Sequence, residues 1–182
     1  MTELEAFNQI LALVGLPPVN SAATANNNVA ILRDSFSRAK KRILRQAWRK
    51  FGVKTDLEAN GTGKIPVSSY LRIVYPSNLK QRLTERNGYV WDIKADDYYS
   101  DTIKGVWVVS DIAFESISSD SFQEFIALEA AAEVSMRLSD VDANYVEINR
   151  LRNQARRQAY NEARVSLDGT FDIPRATRGF YE

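Results

Sequence analysis

The sequence predicts an α+β protein: an antiparallel four-helix bundle with a small antiparallel β-sheet inserted between the helix pairs. Three observations carry this reading. Residues 3–51 and 121–166 place apolar side chains at helical spacing. Residues 52–117 switch to short β-rich runs separated by turn residues. That middle span is too long for a connecting loop. The expected division is a helical bundle from 1–51 and 118–166, a β-rich insertion over 52–117, and a C-terminal arm over 167–182.

The first helix is expected from about residue 3 to Val14. Thr2 and Glu5 form a capping-box pattern, in which each side chain satisfies an orphan backbone donor of the other residue. Leu4, Phe7, Leu11 and Val14 supply its apolar face. Gly15 suits a left-handed helix end, and Pro17 and Pro18 forbid continuation. A polar spacer supplies an Asn cap for a second helix reaching Phe51. Its buried stripe is Val29, Leu32, Phe36, Ala39, Ile43 and Ala47, with Leu44, Trp48 and Phe51 beside it. Trp48 is expected in the core.

In the insertion, Tyr70–Tyr75 reads as a strand stopped by Pro76, and Val106–Val109 as another. Asn87-Gly88, flanked by runs 81–85 and 89–93, signals a tight hairpin because both residues accept positive φ. The third helix is expected from Ser121, capped with Glu124. Phe122, Phe125, Ile126, Leu128, Ala132 and Met136 form its apolar side. Asp140 is expected to cap the fourth, with Val141, Tyr145, Ile148, Ala155, Ala159 and Ala163 as its stripe.

Composition excludes several chemistries. The chain has 182 residues, no cysteine and no histidine. Disulfides and thiolate metal sites are impossible, and the commonest general base is missing. No apolar run is long enough to span a membrane, and the acidic start is unlike a signal peptide. The net charge of +1 hides segregation. Residues 33–50 hold Arg33, Arg38, Lys40, Lys41, Arg42, Arg45, Arg49 and Lys50 against Asp34 alone. Residues 92–133 hold ten acids and only Lys94 and Lys104 as cations. The plain reading is two solvated faces. The sharper one pairs the basic flank of one subunit (Arg38, Lys41, Arg45, Arg49) with the acidic flank of the next (Asp96, Asp97, Asp101).

Three motif-like stretches read as ordinary structure. Gly61-Thr62-Gly63-Lys64 lacks the first glycine and the hydroxyl of a phosphate loop, so it is a turn. The run from Asp140 lacks the glycine and terminal glutamate of a calcium loop. Asp96, Asp97 and Asp101 with Tyr98 and Tyr99 read as a polar loop rather than a cation or carbohydrate site. No cofactor or metal is expected.

The opening carries more. It reads FNQILALVGLPPV from Phe7 to Val19, then VAILRDSFSRAKKRILRQAWRKF from Val29 to Phe51. This resembles the N-terminal signature of the tail tubular protein A family of short-tailed bacteriophages. That family shows N-x-I-L-x-x-x-G-x-x-P-V, an apolar stripe, and a Trp closing the second helix. The matching positions here are Asn8, Ile10, Leu11, Gly15, Pro18 and Val19, then Ile31, Leu32, Ile43 and Trp48. The hairpin from Arg82 to Asp92 and the aromatic-led third helix are similar in weaker form.

The resemblance implies a structural virion protein, not an enzyme. It implies a homo-oligomer, a dodecameric ring, that joins the portal protein to the tail nozzle protein and supports tail fibres. Genome DNA would pass through its lumen. The implied location is the virion tail after synthesis in the bacterial host cytoplasm, with no membrane contact. Within that frame the C-terminal arm is a candidate portal-binding element, through Phe171, Ile173, Arg175, Arg178, Phe180 and Tyr181. An inert tail is the alternative. The basic second helix leaves open a nucleic-acid-binding accessory protein, and the acidic middle a glycosidase working with carboxylates alone.

Overall fold

A computed structural model describes residues 1–23, 26–138 and 142–166. The fold is α+β. Helices α1 (Glu3–Leu13), α2 (Asn27–Gln46) and the single-turn α3 (Trp48–Phe51) precede six strands. The strands are β1 (Val53–Leu57), β2 (Tyr70–Val74), β3 (Leu83–Arg86), β4 (Tyr89–Asp92), β5 (Asp97–Tyr98) and β6 (Ile103–Ser110). Helices α4 (Asp120–Arg137) and α5 (Asp142–Ser166) follow. The chain divides into two compact units, and the division falls inside α2, between Phe36 and Ser37.

The first unit holds Met1–Phe36 and the described residues from Ile117 onward. Its start is dictated locally. Thr2 accepts the Glu5 N–H, and the Glu5 carboxylate accepts the Thr2 N–H at 2.7 Å. Glu5 is held below the usual carboxylate range by these Thr2 bonds. Gly15 takes φ +71 and ends the helix. The Asn8 side chain then fastens the following turn at Val19. Asn26 caps α2 by accepting the Asn28 N–H.

α1 packs on α4, and α4 on α5. Phe7 meets Phe36 edge-on at 5.2 Å. Ala130, Ala131 and Ala132 of α4 and Ala155, Ala159 and Ala163 of α5 are all buried. Small side chains four apart let two helix backbones approach closely. Phe122 and Phe125 pack their rings against Tyr160 at 6.0 and 6.3 Å. Burial pushes the Tyr160 hydroxyl pKa up.

Three helix details differ from the sequence expectation. The α4 cap is Ser119, not Ser121. Its hydroxyl accepts the Phe122 N–H and donates to Glu162. Met136 and Tyr145 lie on the expected stripes but are 62% and 37% exposed. They sit at the facing ends of α4 and α5, where periodicity still holds but covering neighbours run out. Finally, the second helix stops at Gln46, and Ala47 (φ −90, ψ 33) breaks it before the separate turn α3. Asp140 and Val141 lie outside the described residues.

The second unit, Ser37–Ser116, holds both sheets. One sheet was expected; two three-stranded antiparallel sheets are present, ordered β1-β6-β2 and β3-β4-β5. Leu57, Ile65, Val67, Leu83, Val90, Ile103, Val106 and Val108 form one apolar cluster that draws on both sheets. The β3–β4 hairpin turns through Asn87 (φ 53) and Gly88 (φ 79), the two left-handed residues of a primed turn. β1 and β5 had not been singled out. β1 buries only Leu57, and β5 is two residues long.

Candidate assembly surface

The cations singled out on α2 are less free than their spacing implies. Lys40 bridges Asp111 at 2.9 Å and donates to the Ile112 carbonyl at 2.8 Å. Lys41 reaches the other Asp111 oxygen at 3.6 Å. Arg38 and Arg45 are exposed. The Arg45 carbonyl accepts a 2.8 Å bond from the Arg72 guanidinium. Arg49 lies half-buried over the Trp48 ring, 5.4 Å from its centroid.

Trp48 is half-buried rather than a core residue. It meets Trp107 of β6 edge-on, with centroids 6.2 Å apart and planes at 70°. Arg72 of β2 stands 5.6 Å from the same Trp48 ring. Gly52 makes this approach possible. A Cβ there would lie 2.5 Å from the Trp48 carbonyl oxygen and 3.4 Å from the Trp107 ring. The result is a patch of indoles and guanidiniums on the second unit.

The acidic candidates lie in and beside the β4–β5 turn. Asp96 takes φ 53 and is exposed, as are Asp97 and Asp101. Asp97 accepts its neighbour's N–H, from Tyr98, at 2.7 Å. Asp92, only 2% exposed, behaves differently. It binds the Arg82 guanidinium through Nε at 2.7 Å and through Nη2. Its other oxygen accepts the Lys94 and Ala95 N–H groups at 3.0 and 3.3 Å. The Arg82 bond holds the Asp92 carboxyl below its usual range.

The outer face of the second sheet carries a ring ladder. Trp91 packs edge-on against Tyr98 at 4.9 Å, and Tyr89 against Tyr98 at 5.9 Å. Lys64 covers the Tyr98 ring at 3.9 Å and Arg86 the Trp91 ring at 4.2 Å. Cross-strand aromatic pairs of this kind stabilise a small sheet. The loop before Lys64 is an Asn turn: Asn60 Oδ1 accepts the Thr62 N–H and hydroxyl at 3.0 and 2.6 Å. Tyr98 thus belongs to the ladder and not to a groove with the neighbouring acids.

Phe171, Ile173, Arg175, Arg178, Phe180 and Tyr181 lie outside the described residues. Among the described residues no group of three carboxylates is arranged to hold a metal, and no helix is long and apolar enough to cross a membrane. The sequence reading missed Arg72 and Trp107 as members of the patch. The alternation in Val106–Val109 was the available signal, since it sets Trp107 on the face opposite Val106 and Val108.

The chain's relationships supply its class: it is a structural protein of a bacteriophage tail. It belongs to the tail tubular protein family, whose model matches residues 4–166. Tail tubular protein A of Klebsiella phage KP34 is 23% identical over 174 residues, covering 93% of each chain.

Proposed function

We propose that the chain is a subunit of the adaptor ring that joins the portal to the tail nozzle and forms part of the DNA channel. The family match over residues 4–166 carries this reading. The relative named tail tubular protein A, aligned over nearly the whole of both chains, supports it. The role is structural rather than catalytic. Subunits form a homo-oligomeric ring, of dodecameric order, that contacts portal, nozzle and tail fibres. Residues 1–51 and 118–166 serve as the helical body, closing as a four-helix bundle. Residues 52–117 serve as the β-rich insertion.

Neighbouring subunits meet through opposite charge, with Arg38, Lys41, Arg45 and Arg49 on one flank and Asp96, Asp97 and Asp101 on the other. The exposure of Arg38, Arg45 and all three acids supports this pairing. Residues 167–182 form the portal-binding arm, with Phe171, Ile173, Phe180 and Tyr181 as apolar contacts and Arg175 and Arg178 as donors. Many weak arms act together in a ring through effective concentration. The runner-up, a nucleic-acid accessory protein using α2, is disfavoured by the engagement of Lys40 and Lys41 with Asp111.

Native mass and light scattering test the reading, on the protein alone and mixed with portal rings. A discrete ring, or a discrete complex with portal, is expected. A monomer in both conditions overturns it. Deleting residues 170–182 is expected to abolish co-sedimentation with portal while leaving helix content unchanged.

A further inference from the structure

Trp107 is large, apolar and 37% exposed at the middle of the first sheet. Lys54 of β1 and Val74 of β2 are its direct cross-strand partners, so both share its face. Arg72, two residues before Val74, shares that face as well. Trp48 backs the indole from α3. The Lys54 stem runs along β6: a Cβ on Gly105 would lie 3.1 Å from its Cε. The one carboxylate nearby on β1, Asp56, is turned to the Gly105 N–H at 2.7 Å. The face therefore presents an indole rimmed by Lys54, Arg72 and Arg49, with the β1 acid Asp56 already engaged. Trp and Arg are the residues most enriched where binding energy concentrates.

The same unit carries an exposed acidic turn, in which Asp96 and Asp97 outnumber the neighbouring cation Lys94. Asp96 and Asp97 are exposed, and Arg82, which precedes β3, is committed to Asp92. We propose that the Trp107 face is the anchor by which one subunit grips the Asp96–Asp97 turn of a second copy of this chain. Lys54 and Arg72 supply the charge, and the indole supplies the buried apolar centre. The inference rests on the ring reading above and deepens it. It moves the centre of the contact from the α2 stripe to the sheet beside it.

The contact is heterologous: patch and turn are different surfaces, so each subunit uses one with each neighbour. That makes charge exchange the decisive test. Lys54→Glu alone and Asp96→Lys alone are each expected to lower the ring fraction by about tenfold at moderate salt. The double variant restores opposite charge at every seam and is expected to recover rings. Lys54 is exposed, so Lys54→Glu should keep the wild-type melting temperature. Asp96 takes φ 53, which suits Asp and Asn better than Lys. Asp96→Asn removes the charge and keeps the backbone preference, so it is the matched control and should lower the ring fraction as well. As an independent readout, the emission of the wild-type protein should shift to shorter wavelength on assembly, and Trp107→Phe should remove that shift.

If the wild-type chain forms rings and the two single variants form them equally well, the anchor is overturned while the ring reading stands. If the single variants fail and the double variant does not recover, the pairing of these two surfaces is overturned. A wild-type chain that never assembles, even with portal, overturns both. If Lys54→Glu instead lowers salt-dependent retention of DNA on a filter and leaves ring mass unchanged, the face serves nucleic acid and the proposal fails.

Discussion

The side-chain amide of Asn8 holds the backbone of Val19 from both sides. Its Nδ2 donates to the Val19 carbonyl at 3.1 Å, and its Oδ1 accepts the Val19 N–H at 2.8 Å. Asn is the side chain of this length that offers one donor and one acceptor in a plane. The spacing of the opening signature thereby gains a physical cause. Asn8 on the helix, Gly15 at its left-handed end and Val19 beyond the prolines are three parts of one turn. Ile10 and Leu11, between them, are buried.

Asn8→Ala leaves two half-buried backbone groups without their partner. The expected loss is about 1–3 kcal/mol. Asn8→Asp is expected to cost at least as much, because a carboxylate oxygen would then face the Val19 carbonyl. Urea denaturation of both variants checks this. A change below about 0.5 kcal/mol, the scatter of ordinary surface substitutions, would show that the turn holds without the amide.

The pair Asp92–Arg82 makes the second unit sensitive to acid. Asp92 is held below its usual pKa chiefly by the Arg82 hydrogen bond. A carboxyl whose folded pKa is depressed contributes stability above its unfolded value, about 3.9 for Asp. That contribution is lost as pH falls through the folded value. The melting temperature should therefore hold from neutrality down to about pH 4 and then fall. In Asp92→Asn the neutral-pH melting temperature should be lower and the acid-side fall shallower. An unchanged acid slope in the variant would assign the fall to other groups.

Ser35 is fully buried on α2, and its hydroxyl has no hydrogen-bond partner among the described residues. Ser35→Ala removes that unsatisfied group, keeps the Cβ and improves helix propensity. Stability is expected to rise by about 1 kcal/mol. A fall in the denaturation midpoint would mean that the hydroxyl does bonded work in the folded state.

What could be read from the chain alone divides by range. Local signals were sufficient where one or two neighbouring residues decide the backbone: the Thr2–Glu5 box, the Gly15 stop and the Asn87-Gly88 turn all stand as expected. β1 escaped because an edge strand with one buried side chain shows no alternation. The α4 cap was misplaced because three serines and an aspartate between 118 and 121 offer competing caps, and only Ser119 finds Glu162. The apolar stripe of α2 was legible through Ala47, since Val29, Leu32, Phe36, Ala39, Ile43 and Ala47 are all buried. The patch around Trp107 was not. It depends on strand register between β1, β6 and β2, which fixes neighbours tens of residues apart. The cis partner of Lys40 and Lys41, Asp111, was hidden for the same reason.

Trp48 shows how that register changes a stability prediction. Read from the helix stripe, it is a core residue whose truncation costs about 3–5 kcal/mol, the range for large buried aromatics. In the structure it is half-buried, opens α3, and meets Trp107, Arg49 and Arg72. An edge-to-face aromatic pair adds about 0.5–1.5 kcal/mol beyond burial, and exposed cation–π contacts about 0.5–1 kcal/mol. Trp48→Ala should then cost about 2–3 kcal/mol, below the core range. Trp48→Phe keeps a ring against Trp107 and should recover about half of that loss. Trp107→Ala in a Trp48→Ala background should cost less than it does alone, since the shared contact is already gone. The four melting curves of this double-mutant cycle measure the coupling directly. Additive losses within about 0.3 kcal/mol would mean that the two indoles stabilise the unit independently and that the edge-on contact carries no energy of its own.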